Sequence, residues 1–294
     1  MTMTQQKKST RKATDEKPSA VALTTLFMIM CAFYFLIPMW WLIVASTRTT
    51  GQLTTDHNLM PNSIGELFTN ISTVIAYNDG IFVRWMGNSI LYAVVGAALA
   101  TIIATMAGYG MAKYVFPGRE TLFNFILAGV LVPVTALAMP LFLLFSQANM
   151  VNTYWAVLLP SLVSPFGVYL ARVYASLSVP DSLLEAARLD GSGEVRTFFT
   201  MSTRLMSPAI VTIFLFSFVG IWNNFFLPLV MLQDERLYPV TLGLFSWNSQ
   251  VSRLPFLQSY VVVGSLLSII PLIIAFMFLQ RFWQTGLGEG GVKE

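Results

Sequence analysis

Apolar residues in this chain run in long blocks separated by short polar connections. A hydrocarbon layer about 30 Å thick is crossed by about 20 apolar residues of helix. Six blocks reach that length: 21–46, 89–112, 122–146, 154–177, 208–232 and 257–282. Pro133 and Pro140 interrupt the third, Pro160 and Pro165 the fourth, and Pro271 the sixth. No alternation of period two is present, which argues against a β-barrel. The pattern predicts an all-α integral membrane protein with six transmembrane helices. A proline inside a span frees a carbonyl that must find a partner in a neighbouring helix or in water. Several interrupted spans therefore predict a packed bundle around a cavity.

Lys7, Lys8, Arg11, Lys12 and Lys17 precede the first block. That block is longer than the apolar core of a signal peptide, about 7–15 residues, so it reads as a retained helix. Residues 1–20 are polar, charged and without apolar period, the composition of a disordered tail. Such a tail acts as a topology signal or touches anionic lipid. Lys and Arg concentrate on the cytoplasmic side. With the amino terminus inside, 13 of the 17 basic residues are cytoplasmic, and Arg48, Arg84, Arg236 and Arg253 lie outside. This predicts both termini in the cytoplasm, an extracytoplasmic loop at 47–84, a cytoplasmic loop at 178–207 and a cytoplasmic tail at 283–294.

Composition sharpens this reading. Charged residues make up 11% of the 294, hydrophobic residues 55%, and mean hydropathy is +0.67. A soluble domain carries about 25% charged residues, so an ordinary cytosolic enzyme is excluded. A single Cys31 and a single His57 allow neither an intrachain disulfide nor a His/Cys metal centre. The net charge of +3 follows topology and forms no basic stripe, so nucleic acid is not an expected partner.

Within the spans, Gly96, Ala100, Ala104 and Gly108 place a small residue at every fourth position, a face for close helix–helix packing. Trp222, Asn223 and Asn224 stand in the outer half of the fifth span. Polar groups there face protein or water. They form either a cavity wall for a polar solute or interhelical hydrogen bonds. No Asp, Glu, Lys or Arg lies deep in a span, which argues against an ion-coupled carrier. An intramembrane enzyme lacks a visible nucleophile–base set. A stand-alone channel or carrier for a small polar solute is the alternative reading.

The cytoplasmic loop 179–208 carries the strongest signal. Ser182 and Glu185 after Pro180 fit a capping box, which predicts a helix from about Ser182. Gly191 permits a turn at positive φ. A second helical stretch follows, with Val195, Phe198 and Phe199 apolar. A helix–Gly–helix with a small flat surface at Ala186 and Ala187 and projecting Phe side chains suits a partner's groove. Burying one Phe contributes about 1.5–3 kcal/mol. An amphipathic helix lying on lipid fits the same pattern.

Glu185-Ala186-Ala187, Asp190-Gly191-Ser192, Phe198, Met201 and Pro208 resemble, without gaps, the EAA loop of binding-protein-dependent ABC importer permeases. Asn88-Ser89, Tyr114-x-Phe116-Pro117-Gly118, Trp222-Asn223-x-Phe225 and the tail Gly286-Leu287…Gly291-Val292-Lys293 are similar to the carbohydrate, maltose-permease-like branch. The resemblance implies an importer transmembrane domain at 85–282 behind the first helix. It implies a permease subunit of an ATP-driven sugar importer in the cell membrane, forming half of the translocation pathway. Its partners would be a second homologous permease chain, two ATPase subunits and an extracytoplasmic solute-binding protein. Glu185, Ala186, Ala187, Asp190, Gly191 and Phe198 would couple to the ATPase, with Glu185 as a polar contact and Gly191 at the turn. Gly290, Gly291 and Val292 would lie at the ATPase interface. No G-x-x-x-x-G-K-[ST] loop is present, so ATP-Mg would sit on the ATPase subunits and this chain would bind no cofactor and catalyse no reaction. Thr203-Arg204 stand where the family has Leu-Pro, which predicts an exit from the loop without the usual proline bend.

Overall fold

The computed structural model describes residues 18–56 and 58–289, and among these the regular structure is entirely helical. His57, most of the basic amino-terminal tail, and Gly290, Gly291, Val292 and Lys293 lie outside the described residues. In chain order the helices are α1 (Pro18–Ser46), α2 (Thr50–Thr55), α3 (Ile64–Ala76), α4 (Ile81–Lys113), α5 (Arg119–Ala128), α6 (Val134–Gln147), α7 (Tyr154–Ser161) and α8 (Pro165–Ser178). Then come α9 (Asp181–Leu189), α10 (Glu194–Thr197), α11 (Thr203–Leu205), α12 (Ser207–Trp222), α13 (Phe226–Met231), α14 (Val240–Gln250) and α15 (Leu257–Glu289).

Four segments are long and apolar enough to cross a membrane: Ala20–Ser46, Ile81–Lys113, Tyr154–Ser178 and Leu257–Gln280. Two more qualify if each bent pair is one span. The α5–α6 pair bends by 103°, and the limb ending at Leu205 meets α12 at 84°. The α5–α6 bend and the short interruption between α7 and α8 have local causes. Pro133 follows a short 3₁₀ turn at Gly129–Leu131 and cannot donate to the helix it precedes. Pro165 stands in the first turn of α8, and the Ser164 side chain caps the Gly167 amide.

One expectation shifts. The second span begins at Ile81, ahead of the predicted 89, because Gly80 at φ +76° ends the left-handed run of Asn78 and Asp79 and starts the helix there. The last helix runs on through 283–289, past the apolar segment Leu257–Gln280. The 47–84 loop is itself built, from α2 and α3.

The bundle centres on α4, flanked by α8 and α12. Ala100, Ala104 and Gly108 are buried against α8 and its neighbours. A Cβ on Gly108 would lie 2.5 Å from the Ala171 Cβ and 2.6 Å from the Arg172 amide nitrogen, so only glycine admits this approach of α8. At Gly96 the close neighbour is the Ile221 Cδ1 on α12, which would stand 2.9 Å from an added Cβ. A second cluster joins Trp85 of α4, Trp222 of α12 and Trp247 of α14.

α1 stands apart. Its apolar surface is exposed over most of its length, and only Val44, Ala45 and Ser46 are buried at its end. Two donors tie that end to the following loop. The Trp40 Nε1–H donates to the Leu59 carbonyl at 3.0 Å. Arg48, buried, donates from Nη1 to the Asp56 carbonyl at 2.7 Å and from Nη2 to the Asn58 carbonyl.

Candidate functional site

Residues 179–208 fold as a two-limbed hook. Pro180 is the N-cap of α9, so Ser182 and Glu185 fall inside the helix and the predicted capping box does not form. Proline sets φ for a helix start and Asp181 opens the first turn. The Asp181 carboxylate accepts from the Lys113 Nζ at 2.8 Å, joining the hook to the end of α4. At the other end of α9, Gly191 has φ +77°. The Ser192 amide donates to the Ala187 carbonyl at 2.9 Å and the Gly191 amide to the Arg188 carbonyl at 3.0 Å. These are the two bonds of a Schellman cap, which needs a residue tolerant of positive φ. No atom lies within 4 Å of a Cβ there, so Gly191 is required by backbone conformation alone.

One carboxylate braces the limbs. The Arg188 Nε–H donates to the Glu194 Oε1 at 2.7 Å, and the Tyr114 hydroxyl, just past α4, donates to the Glu194 Oε2 at 2.6 Å. The hydrogen bond from Arg188, then that from Tyr114, holds the Glu194 carboxyl below the usual carboxylate range. Burial, then the bond to Glu194, pushes the Tyr114 phenol above the usual tyrosine range, so it stays a donor.

The hook has an inner and an outer face. Leu184 and Ala187 are buried, while Glu185, Ala186 and Asp190 are exposed. Leu189 is 90% and Val195 71% exposed, and Phe199 also projects. Phe198 does not project. It is 6% exposed and packs on Tyr109 of α4 with ring centroids 4.9 Å apart. Adjacent residues in the π-helical turn Phe198–Ser202 point to different surroundings, so Phe198 anchors the limb. The flat surface predicted from Ala186 and Ala187 is thus reduced to Ala186. The exit from the hook bends by 84° at Met206 despite Thr203-Arg204, because Pro208 stands in the first turn of α12. The expectation of an unbent exit is corrected.

A cleft of about 470 Å³ lies where three spans break. Val132 and Val134 from the α5–α6 bend, Ser161 and Ser164 from the α7–α8 break, and Ser217 and Asn224 from α12 and its end line it. Of the three residues expected along a solute pathway, Asn224 alone is in this lining. Trp222 is 2% exposed in the core, stacked on Phe218 at 5.8 Å. The Asn223 amide donates to the Val219 carbonyl of its own helix at 3.0 Å. Trp222 at spacing i, i+4 from Phe218 and on the apolar stripe of α12 is core, which overturns its placement on a cavity wall.

At the far end of α4 from the hook, four side chains grip residues 235–240. The Trp85 Nε1–H donates to the Glu235 carbonyl at 2.7 Å, and the Asn88 amide to the carbonyls of Arg236 at 2.8 Å and Tyr238 at 3.0 Å. The Tyr92 hydroxyl donates to the Leu237 carbonyl at 3.0 Å, and the Val240 amide donates to the Ser89 hydroxyl. Positions 85, 88, 89 and 92 share one helix face. The Asp234, Glu235 and Arg236 side chains are exposed beyond this grip.

The chain is thus a bundle of apolar helices, four of them long enough to cross a membrane, broken around a cleft and carrying a braced hook at one end. Residues 100–287 match the family described as the binding-protein-dependent transport system inner membrane component, and the chain belongs to that family. It is 34% identical over 280 residues to the arabinooligosaccharides transport system permease protein AraQ of Halalkalibacterium halodurans, covering 92% of this chain and 96% of that one. It is 33% identical to the lactose transport system permease protein LacG of Rhizobium radiobacter, covering 90% and 93%. In fold it is similar to a chain from the crystal structure of a bacterial ABC transporter that imports the acidic polysaccharide alginate. The TM-score is 0.78 at 22% identity, over 90% of this chain and 96% of that one. The chain is a membrane component of an ABC importer.

Proposed function

We propose that this chain is one of two permease subunits of an ATP-driven sugar importer. It crosses the membrane six times with both ends in the cytoplasm, and each bent helix pair forms one span. The second permease is a homologous chain, two ATPase subunits carry ATP-Mg, and a solute-binding protein delivers sugar from outside. The permease names of the relatives, for arabinooligosaccharides and lactose, support the substrate class. The hook carries the reading: Leu189, Val195 and Phe199 expose apolar surface on a braced element, next to the exposed Glu185 and Ala186. Exposed apolar anchors on a rigid helical element suit a partner's groove. Lys113, Arg188 and Arg196 gather at this end of the bundle, the side that Lys/Arg placement assigns to the cytoplasm. The cleft with Asn224, Ser161, Ser164 and Ser217 forms this chain's half of the pathway.

Purification of the tagged chain from membranes should bring down an ATPase and a second permease, identified by mass spectrometry. Glu185→Ala should lower the ATPase yield or sever ATP hydrolysis from transport. A chain that transports sugar alone, without ATP, would end this reading.

A further inference from the structure

We infer that α4 is a rigid connecting rod, through which the hook at one end moves the 235–240 segment at the other; this rests on the importer reading. Three observations carry it. First, α4 is 33 unbroken residues, a rod about 50 Å long at 1.5 Å per residue. Residues 81–113 hold no proline, whereas the other apolar spans carry Pro38, Pro133 and Pro140, Pro160 and Pro165, Pro208, and Pro271. Prolines are where helices bend.

Second, the inner end is bonded to both limbs of the hook. Lys113 holds Asp181 at the start of α9, and Tyr114 holds Glu194, which also holds Arg188. Phe198 packs on Tyr109 one turn above. The hook therefore cannot rotate about the end of α4 without breaking these contacts. Third, the outer end grips 235–240 through Trp85, Asn88, Ser89 and Tyr92. The gripped atoms are main-chain groups, so the whole segment follows the rod rather than single side chains. Packed side chains, hydrogen bonds and rigid elements carry coupling between distant sites, and α4 with its two grips is contiguous from the hook to the 235–240 segment. Tyr114 and Glu194 are positioning residues: they touch neither solute nor ATP, and act by fixing the hook on the rod.

The test uses the assembled importer with the chains that co-purify, in lipid nanodiscs, with Cys31→Ala removing the native thiol. An environment-sensitive fluorophore on Arg236→Cys reports the outer end, where that side chain is exposed. ATP-Mg with vanadate traps the closed motor and needs no identified sugar. The parent complex should show a fluorescence shift on trapping. Tyr114→Phe, which removes one hydroxyl, and Glu194→Gln should each cut that shift at least threefold while trapped nucleotide stays within twofold of the parent. The double variant should lose no more than Glu194→Gln alone, since the Tyr114 hydroxyl acts through Glu194. A general loss of structure would lower trapping and shift together, so trapping kept with the shift lost marks positioning. Full shifts in both variants, or shift and trapping falling in parallel, would overturn the rod. A parent complex that traps nucleotide yet shows no shift would also overturn the rod, whereas a parent complex without an ATPase would instead overturn the importer reading beneath it.

Discussion

The Ser89 hydroxyl accepts the Val240 amide at 2.7 Å, inside a contact closed to solvent and spanning 151 residues of sequence. Both groups are buried, Ser89 on α4 and Val240 at the start of α14. Removing one partner leaves a buried N–H unpaired, at a cost of about 1–3 kcal/mol. Ser89→Ala should lower the melting temperature of the purified chain accordingly. An unchanged melting curve would mean the amide finds another acceptor.

Two glycines two residues apart on α4 should respond in opposite ways. At Gly108 an added methyl would strike the α8 backbone, 2.6 Å from the Arg172 nitrogen and 2.7 Å from the Val168 oxygen, and backbone cannot step aside cheaply. Gly108→Ala should destabilise the bundle by about 1–3 kcal/mol, the range for overpacking. At Gly110 nothing lies within 4 Å. Gly110→Ala should be neutral or add up to about 1 kcal/mol from helix propensity. Thermal unfolding in detergent compares the two directly.

The hook offers a second pair. Gly191→Ala forces a side chain into φ +77°, at a cost of about 1–2 kcal/mol, and should loosen the Schellman cap. Gly193, with φ −69° and open space around it, is the N-cap of α10, where serine is preferred. Gly191→Ala should reduce recovery of the ATPase with the tagged chain, whereas Gly193→Ser should leave recovery unchanged. Equal recovery in both would show that the cap plays no part in docking.

The brace has an acid limit. The folded-state pKa of Glu194 lies below its unfolded value, through the Arg188 and then the Tyr114 hydrogen bonds. Its stabilisation is therefore complete above the ordinary Glu value of about 4.3 and fades as pH falls through the lower folded value. The stability gap between parent and Glu194→Gln should hold steady from neutral pH down to about 4.3 and shrink below it. On the alkaline side burial and then the bond to Glu194 keep the Tyr114 proton in place past the ordinary tyrosine range, so the gap should not close there first. Melting temperatures of the two proteins across a pH series read this out.

Hydropathy reads four of the spans directly, because lipid imposes one rule on about 20 successive residues. Pro133 and Pro165 mark real breaks, and Gly191 a real left-handed turn, because those constraints are local. Side-chain direction in the hook is not local. Phe198 turns inward because α4 supplies Tyr109 as a neighbour, and nothing within 179–208 encodes that surface. The grip on 235–240 is equally hidden, since its donors lie about 150 residues from their acceptors. A signal is present all the same: Trp85, Asn88, Ser89 and Tyr92 make a polar-aromatic stripe at spacing i, i+3, i+4, i+7, ahead of an otherwise apolar helix. Trp222 carries a similar warning, standing one turn from Phe218.

The ties from Trp40 and Arg48 to the loop behind α1 bear on how the protein meets bilayers of different thickness. Helices answer a thinner membrane by sinking, tilting or drawing lipid toward them. Here the carboxyl-terminal end of the first helix is latched by an indole and a guanidinium to main-chain oxygens of the next loop. A thinner membrane must then be met by leaning about that latch, with the opposite end sweeping sideways through lipid.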